Sequence, residues 1–496
     1  MNISLTKIIL VSVFATLAVK GSLYAQAPVG SQAQNREPRR YKLVDVGTLG
    51  GPASYYSGDF IGGRTLNNLG TATGYADTST PDPHSPNCFD ADCFTAHAFR
   101  WKYGVLTDLG ALPGTNSSLA AEINSRGWVV GASQINLIDP LTGYPESRAT
   151  IWKDGRIINL GTLGGTVSFA VGLNNRGEVV GHSSNTISDP FSLDGFPTQT
   201  RGFIWENGMI KDMGTLGGAD SAPFGHPNER GQISGNSYIN LTPNLDTGIP
   251  TLDPFLWDQG AMTDLGTLGG TVGFGQGLNN RGQVIGQSNL AGNLTFHPFL
   301  WDMGVLTDLG TLGGDNGTTS WINDSGQIVG EADLPGSQTH DAFLWAKGVM
   351  SDLGNLGQTS YAFAINSGGQ VVGHSLANDG TYHAFLWERG EPMIDLNSFV
   401  TSGSSLAQLT DALNINDLGE IYGVGVPPGV LPQDVDSGGH VFLLIPCADG
   451  ENGCQSAIAV HNANPAPTHL AATERLNSAA RFAKRFHLSA HRTEQP

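Results

Sequence analysis

Short apolar stretches alternate with glycine-containing polar turns along most of the chain. In the clearest repeat, Thr319–Asn323 and Gln327–Gly330 flank a turn of the Asn-x-x-Gly type, and Ala342–Trp345 and Val349–Leu353 flank a second turn. Asn at the first position of such a turn can bond its own backbone, and Gly at the fourth tolerates a left-handed conformation. The pattern predicts four short antiparallel strands in each repeat.

The segment that follows the fourth predicted strand is the most regular part of the repeat. Asp264–Gly270 reads Asp-Leu-Gly-Thr-Leu-Gly-Gly and returns unchanged at Asp308–Gly314. Degenerate copies begin at Asp45, Asp108, Asn159, Asp212, Asp352 and Asp395. The copies are mostly 43 to 53 residues apart, with one interval of 63. Four-stranded repeats of this length are typical of β-propellers.

The two ends of the repeat region indicate how it closes. The last repeat stops at its third strand, His440–Ile445, and a matching fourth strand, Tyr41–Gly47, stands at the other end of the region. A ring gains from this arrangement because pairing the two segments removes two open sheet edges. The sequence therefore predicts an all-β fold, an eight-bladed propeller of four-stranded antiparallel blades closed by the N-terminal strand. The alternatives are a seven-bladed propeller and an open β-solenoid.

Three of these patterns together resemble one known family. They are His383-Ala-Phe-Leu-Trp387, the Asp-Leu-Gly-Thr-Leu-Gly-Gly copies and the Ile-Asn-x-x-Gly-Gln-Val-Val-Gly unit, and they resemble the HAF-repeat family of bacterial extracellular proteins. The resemblance covers about residues 41–445 and implies export and repetition, but no catalytic residues. The chain departs from the family's His at several repeats, which carry Ser147 or Arg148, Arg201, Asp253 and a displaced His340.

The first residues predict the compartment. Lys7 precedes an apolar run, and small residues follow at Ala25 and Ala27, which is typical of a secretory signal peptide. We expect a signal peptide over residues 1–25, a flexible lead-in over 26–40, the propeller over 41–446 and a tail over 447–496. No later segment has the 18 apolar residues in a row that a membrane helix needs. The sequence thus predicts a secreted, extracellular or periplasmic protein without a membrane span, and we expect a monomer.

The four cysteines form two local pairs, Cys88 with Cys93 and Cys447 with Cys454. An even number of cysteines in an exported chain favours disulfides, and local pairing is the simplest of the three connectivities. A metal site is the rival interpretation, although only His97 lies near either pair. We predict disulfides and no cofactor, since no calcium-binding motif supports a calcium site.

Charge and motifs exclude several classes of function. The formal net charge is −19, which disfavours nucleic-acid binding. No metalloprotease, nucleophile-elbow or phosphate-loop motif is present. The recurring His residues open third strands, where an imidazole can bond a neighbouring turn, and we prefer this role to a metal ring: His97, His297, His383 and His440. The recurring Trp residues are expected to pack between blades: Trp101, Trp152, Trp205, Trp257, Trp301, Trp345 and Trp387.

The irregular loops are better candidates for function, because rigid scaffolds usually carry function on variable loops. The connection between the second and third strands is long in the first four repeats, and it shares Asp, Gly, Pro and an aromatic residue in several of them. These loops should lie on the same rim as the Thr-Leu-Gly-Gly segments. They predict a site for a polar or saccharide ligand, with these candidate residues: Asp139, Tyr144, Asp189, Phe191, Asp194, Phe196 and Asp246.

The sequence thus favours a non-enzymatic propeller that binds an extracellular ligand or partner, a glycan, a protein or matrix, through its loop-rich face. The alternative is a glycan hydrolase or lyase. That function requires two carboxylates, or a carboxylate and a His, within catalytic reach at one mouth of the ring.

Overall fold

A computed structural model of the chain describes residues 40–56, 63–90, 92–114, 117–447 and 454–456. The predicted signal peptide lies outside the described residues, as do the lead-in up to residue 39 and most of the predicted tail. Among the described residues, no helix is long and apolar enough to span a membrane. The structure is all-β, apart from two 3-10 turns at Leu396–Phe399 and Pro432–Asp434 and one helical turn at Val435–Gly438.

The strands form antiparallel groups of four, which we call units, and one parallel contact between Leu252 and Val272 joins two neighbouring units into a single sheet. Strand β1, Arg40–Asp45, precedes unit 1. Unit 1 contains β2 (Gly50–Tyr55), β3 (Ala72–Pro81), β4 (Phe94–Lys102) and β5 (Val105–Asp108). Unit 2 contains β6 (Ser118–Ile123), β7 (Val129–Ile138), β8 (Pro145–Lys153) and β9 (Arg156–Gly161). Unit 3 contains β10 (Ser168–Leu173), β11 (Val179–Ser188), β12 (Thr198–Glu206) and β13 (Met209–Asp212).

The following units repeat the same strand order. Unit 4 contains β14 (Ser221–Phe224), β15 (Ile233–Pro243), β16 (Pro250–Asp258) and β17 (Ala261–Asp264). Unit 5 contains β18 (Gly269–Leu278), β19 (Val284–Leu290), β20 (Phe296–Asp302) and β21 (Val305–Asp308). Unit 6 contains β22 (Gly317–Ile322), β23 (Ile328–Asp333), β24 (His340–Ala346) and β25 (Val349–Asp352). Unit 7 contains β26 (Gly357–Ile365), β27 (Val371–Ala377), β28 (Tyr382–Trp387) and β29 (Ile394–Asp395).

The last group, which we call the composite unit, combines strands from both ends of the repeat region. It contains β30 (Gln408–Ile415), β31 (Ile421–Val426), β32 (His440–Pro446) and β1, with a short β33 (Gln455–Ser456) beside β1. Strand β1 runs antiparallel to β32, with Tyr41 opposite Pro446 and Asp45 opposite Phe442. The N-terminal strand therefore completes the unit as the sequence predicts. Both predicted disulfides, Cys88–Cys93 and Cys447–Cys454, are present.

The core lies between neighbouring units, because each sheet is apolar on both faces. The Phe of the third strand is fully buried in seven units: Phe99, Phe203, Phe255, Phe299, Phe343, Phe385 and Phe442. The predicted packing role of the Trp residues is confirmed where Trp152 of unit 2 packs in one cluster with Ala98 of unit 1. The other six Trp side chains also lie in, or pack against, apolar clusters.

The first turn of each repeat carries the Asn that the sequence singles out. Asn323 Oδ1 accepts hydrogen bonds from the backbone N–H groups of Ser325 and Gln327, both at 3.0 Å, and Gly326 has a positive φ of 77°. The Asn Nδ2 donates to the backbone carbonyl of the equivalent Asn in the next unit, at 2.9 to 3.1 Å. These bonds run in a closed cycle through Asn67, Asn124, Asn174, Asn228, Asn279, Asn323, Asn366, Asn416 and back to Asn67. The units thus surround a common axis in a propeller-like arrangement.

Antiparallel pairing gives this arrangement two distinct faces. The Asn turns and the hairpins between third and fourth strands lie on one side, which we call the turn face. The long loops between second and third strands and the crossovers between units lie on the other, which we call the insert face.

Candidate functional site

A cleft of about 350 Å³ opens on the insert face between units 2 and 3. One wall is the long loop of unit 2, which contains Asp139 and Tyr144. The other walls are the crossover at Gly164–Val167, the loop of unit 3 around Phe196, and Phe89 of unit 1. The predicted meeting of inserted loops with Thr-Leu-Gly-Gly segments on one rim is confirmed at this cleft.

Asp139 holds the cleft in shape. Its side chain is only 3% exposed, and its Oδ1 accepts from the backbone N–H of Leu141 at 2.8 Å. Its Oδ2 accepts from the Thr166 hydroxyl at 2.8 Å. Both oxygens are therefore engaged, and the carboxylate ties the loop of unit 2 to the crossover. The same cleft is also lined by Tyr144, which is half-buried, and by Phe196, which is buried.

Asp189, Phe191 and Asp194 lie in the loop of unit 3 but do not line the cleft. Asp189 Oδ1 accepts from the Phe191 N–H at 2.7 Å. The neighbouring Asp220 of unit 4 accepts from the Leu193 N–H at 2.7 Å. Burial raises the pKa of Asp220 to about 8, and the adjacent Asp189 carboxylate adds to the rise. These side chains therefore dock the loop of unit 3 against unit 4.

The last two predicted ligand residues, Asp194 and Asp246, have different surroundings. Asp194 bonds Nδ1 of the buried His182 at 3.0 Å, and His182 Nε2 lies 2.7 Å from the Pro223 carbonyl of unit 4. Asp246 is exposed in the loop of unit 4, outside the cleft. The structure thus brings together Asp139, Tyr144 and Phe196, and it separates them from the other four.

The recurring His residues and the Asp of the Asp-Leu-Gly segment form pairs within a unit. Nδ1 lies within about 3 Å of the carboxylate in His97–Asp108, His297–Asp308, His383–Asp395 and His440–Asp45. Asp108 Oδ1 also accepts from the Gly110 N–H at 2.7 Å, so one carboxylate fixes both the strand and the crossover. The hydrogen bond to Asp45 raises the pKa of His440. The expected bond between these imidazoles and a neighbouring turn is confirmed.

A second cluster lies at the axis and escapes sequence reasoning. Glu122 of unit 2 is fully buried, with its Oε1 3.2 Å from Arg64 Nε and 3.7 Å from Nδ1 of His226 in unit 4. The His226 ring centroid lies 6.2 Å from that of Trp321 in unit 6. Because these side chains come from non-adjacent units, they meet near the common axis. Burial raises the pKa of Glu122 to about 8 although Arg64 opposes the rise.

One signal for this axial cluster exists in the sequence. Glu122, His226 and Trp321 each stand two residues before the turn Asn, and the units alternate at that position between smaller and larger residues: Thr65, Glu122, Gly172, His226, Gly277, Trp321, Ala364 and Asn414. Gly172 leaves room for Glu122, since a Cβ at residue 172 would lie 2.8 Å from Glu122 Oε2. The alternation indicates an axial cluster only once the units are known to surround a common axis.

A third group of titratable side chains lies beside the Cys88–Cys93 disulfide. The Tyr55 hydroxyl is 3.1 Å from Asp77 Oδ2 and 2.9 Å from Asp92 Oδ2. Burial raises the pKa of Asp77 to about 9, with a further contribution from Asp92. Within the described part of the chain, no group of three or more His, Cys, Asp or Glu side chains is arranged to hold a metal ion.

Comparisons with known proteins give distant likenesses only. No protein-family model and no curated protein matches the sequence. Similar solved structures include an acylaminoacyl peptidase from Pyrococcus horikoshii, with 9% identity and a TM-score of 0.37 over 74% of this chain, and a puromycin-hydrolyzing peptidase from Mycobacterium tuberculosis, with 12% and 0.42 over 78%. The chain covers 57% and 62% of those two proteins. The lectin from Aleuria aurantia has 11% identity and a TM-score of 0.27, covering 55% of this chain and 91% of the lectin. These likenesses carry no argument about activity.

Proposed function

We propose that the chain is an exported, eight-bladed propeller of the HAF-repeat kind. The blade number is supported by the eight asparagines whose hydrogen bonds form one closed cycle. Export is supported by two disulfides, because disulfides persist in oxidising compartments.

The function that the geometry supports best is ligand binding at the insert face. The cleft between units 2 and 3 carries this proposal, because it is formed by inserted loops that the repeat itself does not need. Its volume of about 350 Å³ lies in the range of small-molecule sites. A tyrosine ring beside hydroxyl and amide groups suits a saccharide, which presents an apolar ring face and polar edges. We infer a saccharide-binding protein.

The variant Tyr144→Ala tests this site. A glycan array should first identify a bound saccharide, and titration calorimetry should then show about tenfold weaker binding by the variant, since an aromatic contact worth roughly 1.4 kcal/mol changes affinity by that factor. Met303→Ala is the control, because Met303 is 89% exposed on the turn face of unit 5, away from the cleft. Equal affinity of Tyr144→Ala and the wild-type protein, or an array without any bound saccharide, would contradict the proposal.

The axial cluster favours a second candidate function, a glycan hydrolase or lyase. The observation behind it is the 3.7 Å approach of Glu122 to His226 beside Trp321. Glu122 is enclosed, so it would act as a positioning residue, while 17% of the His226 side chain is exposed. An imidazole beside a carboxyl group is a common arrangement for a general acid or base.

The variant Glu122→Gln separates catalysis from structure. If the protein is a hydrolase, this variant should release reducing ends from a panel of polysaccharides at least a hundredfold more slowly, and His226→Gln should have the same effect.

The folded protein keeps a proton on Glu122 up to a pH of about 8, whereas the unfolded chain releases it near 4.5. The free energy of unfolding therefore falls as pH rises through this window, and Glu122→Gln should remove that part of the fall. If the wild-type protein cleaves none of the polysaccharides, the hydrolase hypothesis is wrong. The expected pH dependence of the free energy of unfolding would still hold.

A further inference from the structure

A second cavity, of about 300 Å³, lies on the turn face between units 1 and 2. Arg100, Lys102 and Arg126 line it together with Thr107 and Ser125, and none of the described residues that line it carries a carboxylate. We call this cavity the basic pocket. Three cations around one cavity are unexpected in a protein whose formal net charge is −19 and in which the arginines of other units often pair with carboxylates, as Arg176 does with Glu178.

Arg100 breaks the repeat at this place. Strand register places it opposite Thr107, and the same register position in every other unit holds Ile or Leu that is at most 8% exposed: Ile151, Ile204, Leu256, Leu300, Leu344, Leu386 and Leu443. These side chains pack against the next unit, as Leu300 does in the cluster with Ile322 of unit 6. Arg100 is exposed instead. Unit 1 therefore replaces an apolar contact with a guanidinium, and the space between units becomes polar.

Two of the three cations are oriented by aromatic rings, and none of the three is neutralised. The Arg126 guanidinium lies 5.0 Å from the centroid of the Trp128 ring, and the Lys102 ammonium lies 5.1 Å from that of Tyr103. Such contacts orient a cation without removing its charge. Within the described ranges, none of the three cations forms an ion pair with a carboxylate.

Two carboxylates near the pocket have other partners. Asp154 accepts from the indole Nε1 of Trp128 at 3.2 Å. Glu420, beside the turn at Gly70, accepts from Nδ2 of Asn416. The pocket therefore offers two guanidinium forks and an ammonium group, with hydroxyls from Thr107 and Ser125 beside them. Guanidinium groups match the geometry of tetrahedral oxyanions through paired N–H donors.

We propose that the basic pocket binds a phosphate or sulfate group. The group is either a free ion or an ester on a saccharide, because both present the same oxygen atoms to the two guanidinium groups. This site is separate from the saccharide cleft, since it lies on the opposite face and shares no lining residue with it. It does not depend on the proposed function.

Titration calorimetry of the full chain with four probes tests the proposal: inorganic phosphate, inorganic sulfate, glucose 6-phosphate and glucose. The wild-type protein should bind at least one of the first three probes in the basic pocket, and it should not bind glucose there. Binding should weaken when the salt concentration rises from 50 to 200 mM, because exposed charges are screened. Tighter binding of glucose 6-phosphate than of phosphate would assign an ester, and equal binding would assign the free ion.

The variant Arg100→Leu restores the residue type of the other units, so it is expected to fold. It should weaken binding of the anion at least tenfold, and Lys102→Ala should act in the same direction. Lys347→Ala is the matched control, because it removes the same charge from an exposed hairpin of unit 6. The affinity of Lys347→Ala for the anion should stay within twofold of the wild-type value. No anion binding by wild-type protein, or equal loss in Lys347→Ala, would overturn the proposal.

Discussion

A chain that begins at residue 48 should be much less stable than the full chain. Its units should also unfold together, in a single cooperative transition. The truncation removes β1, and with it the pairing of Tyr41–Asp45 with β32. Tyr41 is fully buried against Phe399, with ring centroids 5.1 Å apart, so its loss alone should cost about 3 to 5 kcal/mol. The ion pair between Asp45 and His440 is lost as well. The exposed edge of β32 should also promote aggregation.

A chain that begins at residue 40 is the matched control, because it retains β1 and should melt like the protein with its longer N-terminus. Urea unfolding followed by both fluorescence and circular dichroism will show whether the units unfold together. If the chain that begins at residue 48 melts unchanged, or loses only one small separate transition, β1 does not close the ring.

Gly286→Ala should lower the free energy of unfolding by about 3 kcal/mol or more, because the second strand has no room for a side chain at this position. A Cβ at residue 286 would lie 1.8 Å from the carbonyl oxygen of Phe274 and 2.7 Å from Cζ of Phe299. Phe299 is fully buried, and the oxygen belongs to the neighbouring strand β18. Neither can move without shifting the sheet.

Gly277→Ala in the same unit is the control. A Cβ there would meet only Cγ1 of Ile285, at 3.9 Å, and Gly277 does not have a positive φ. The control should change the free energy of unfolding by less than about 1 kcal/mol. Equal stabilities of the two variants in urea unfolding would show that close packing does not explain the glycine at the end of the Val-Val-Gly pattern.

Local patterns predict the units well because each pattern has a local physical cause. Asn323 is recognisable because its own turn satisfies its side-chain oxygen, and the repeated Phe and Trp of the third strand mark buried positions. The role of β1 can also be predicted from the sequence, since Tyr41–Gly47 matches a fourth strand but stands at the other end of the repeat region. These features depend on spacing within one repeat, which the sequence shows directly.

The sites are less predictable because they depend on contacts between units. Glu122 and His226 are 104 residues apart in the chain and meet only because units 2 and 4 face the same axis. Asp139 belongs to the predicted loop, but its carboxylate is used to hold Thr166 and Leu141. Composition identifies loops rich in Asp and aromatic residues, whereas burial decides which of these side chains remain free for a ligand.

The geometry of the composite unit also determines how the ring would respond to mechanical load. Tyr41 and Pro446 are opposite each other, so the chain segments that lead away from β1 and β32 leave from the same end of that strand pair. Force applied through those two segments would load the hydrogen bonds between the strands one after another, as in unzipping, instead of all at once in shear. Under such tension we expect the hydrogen bonds between β1 and β32 to open before the strands of the other units separate.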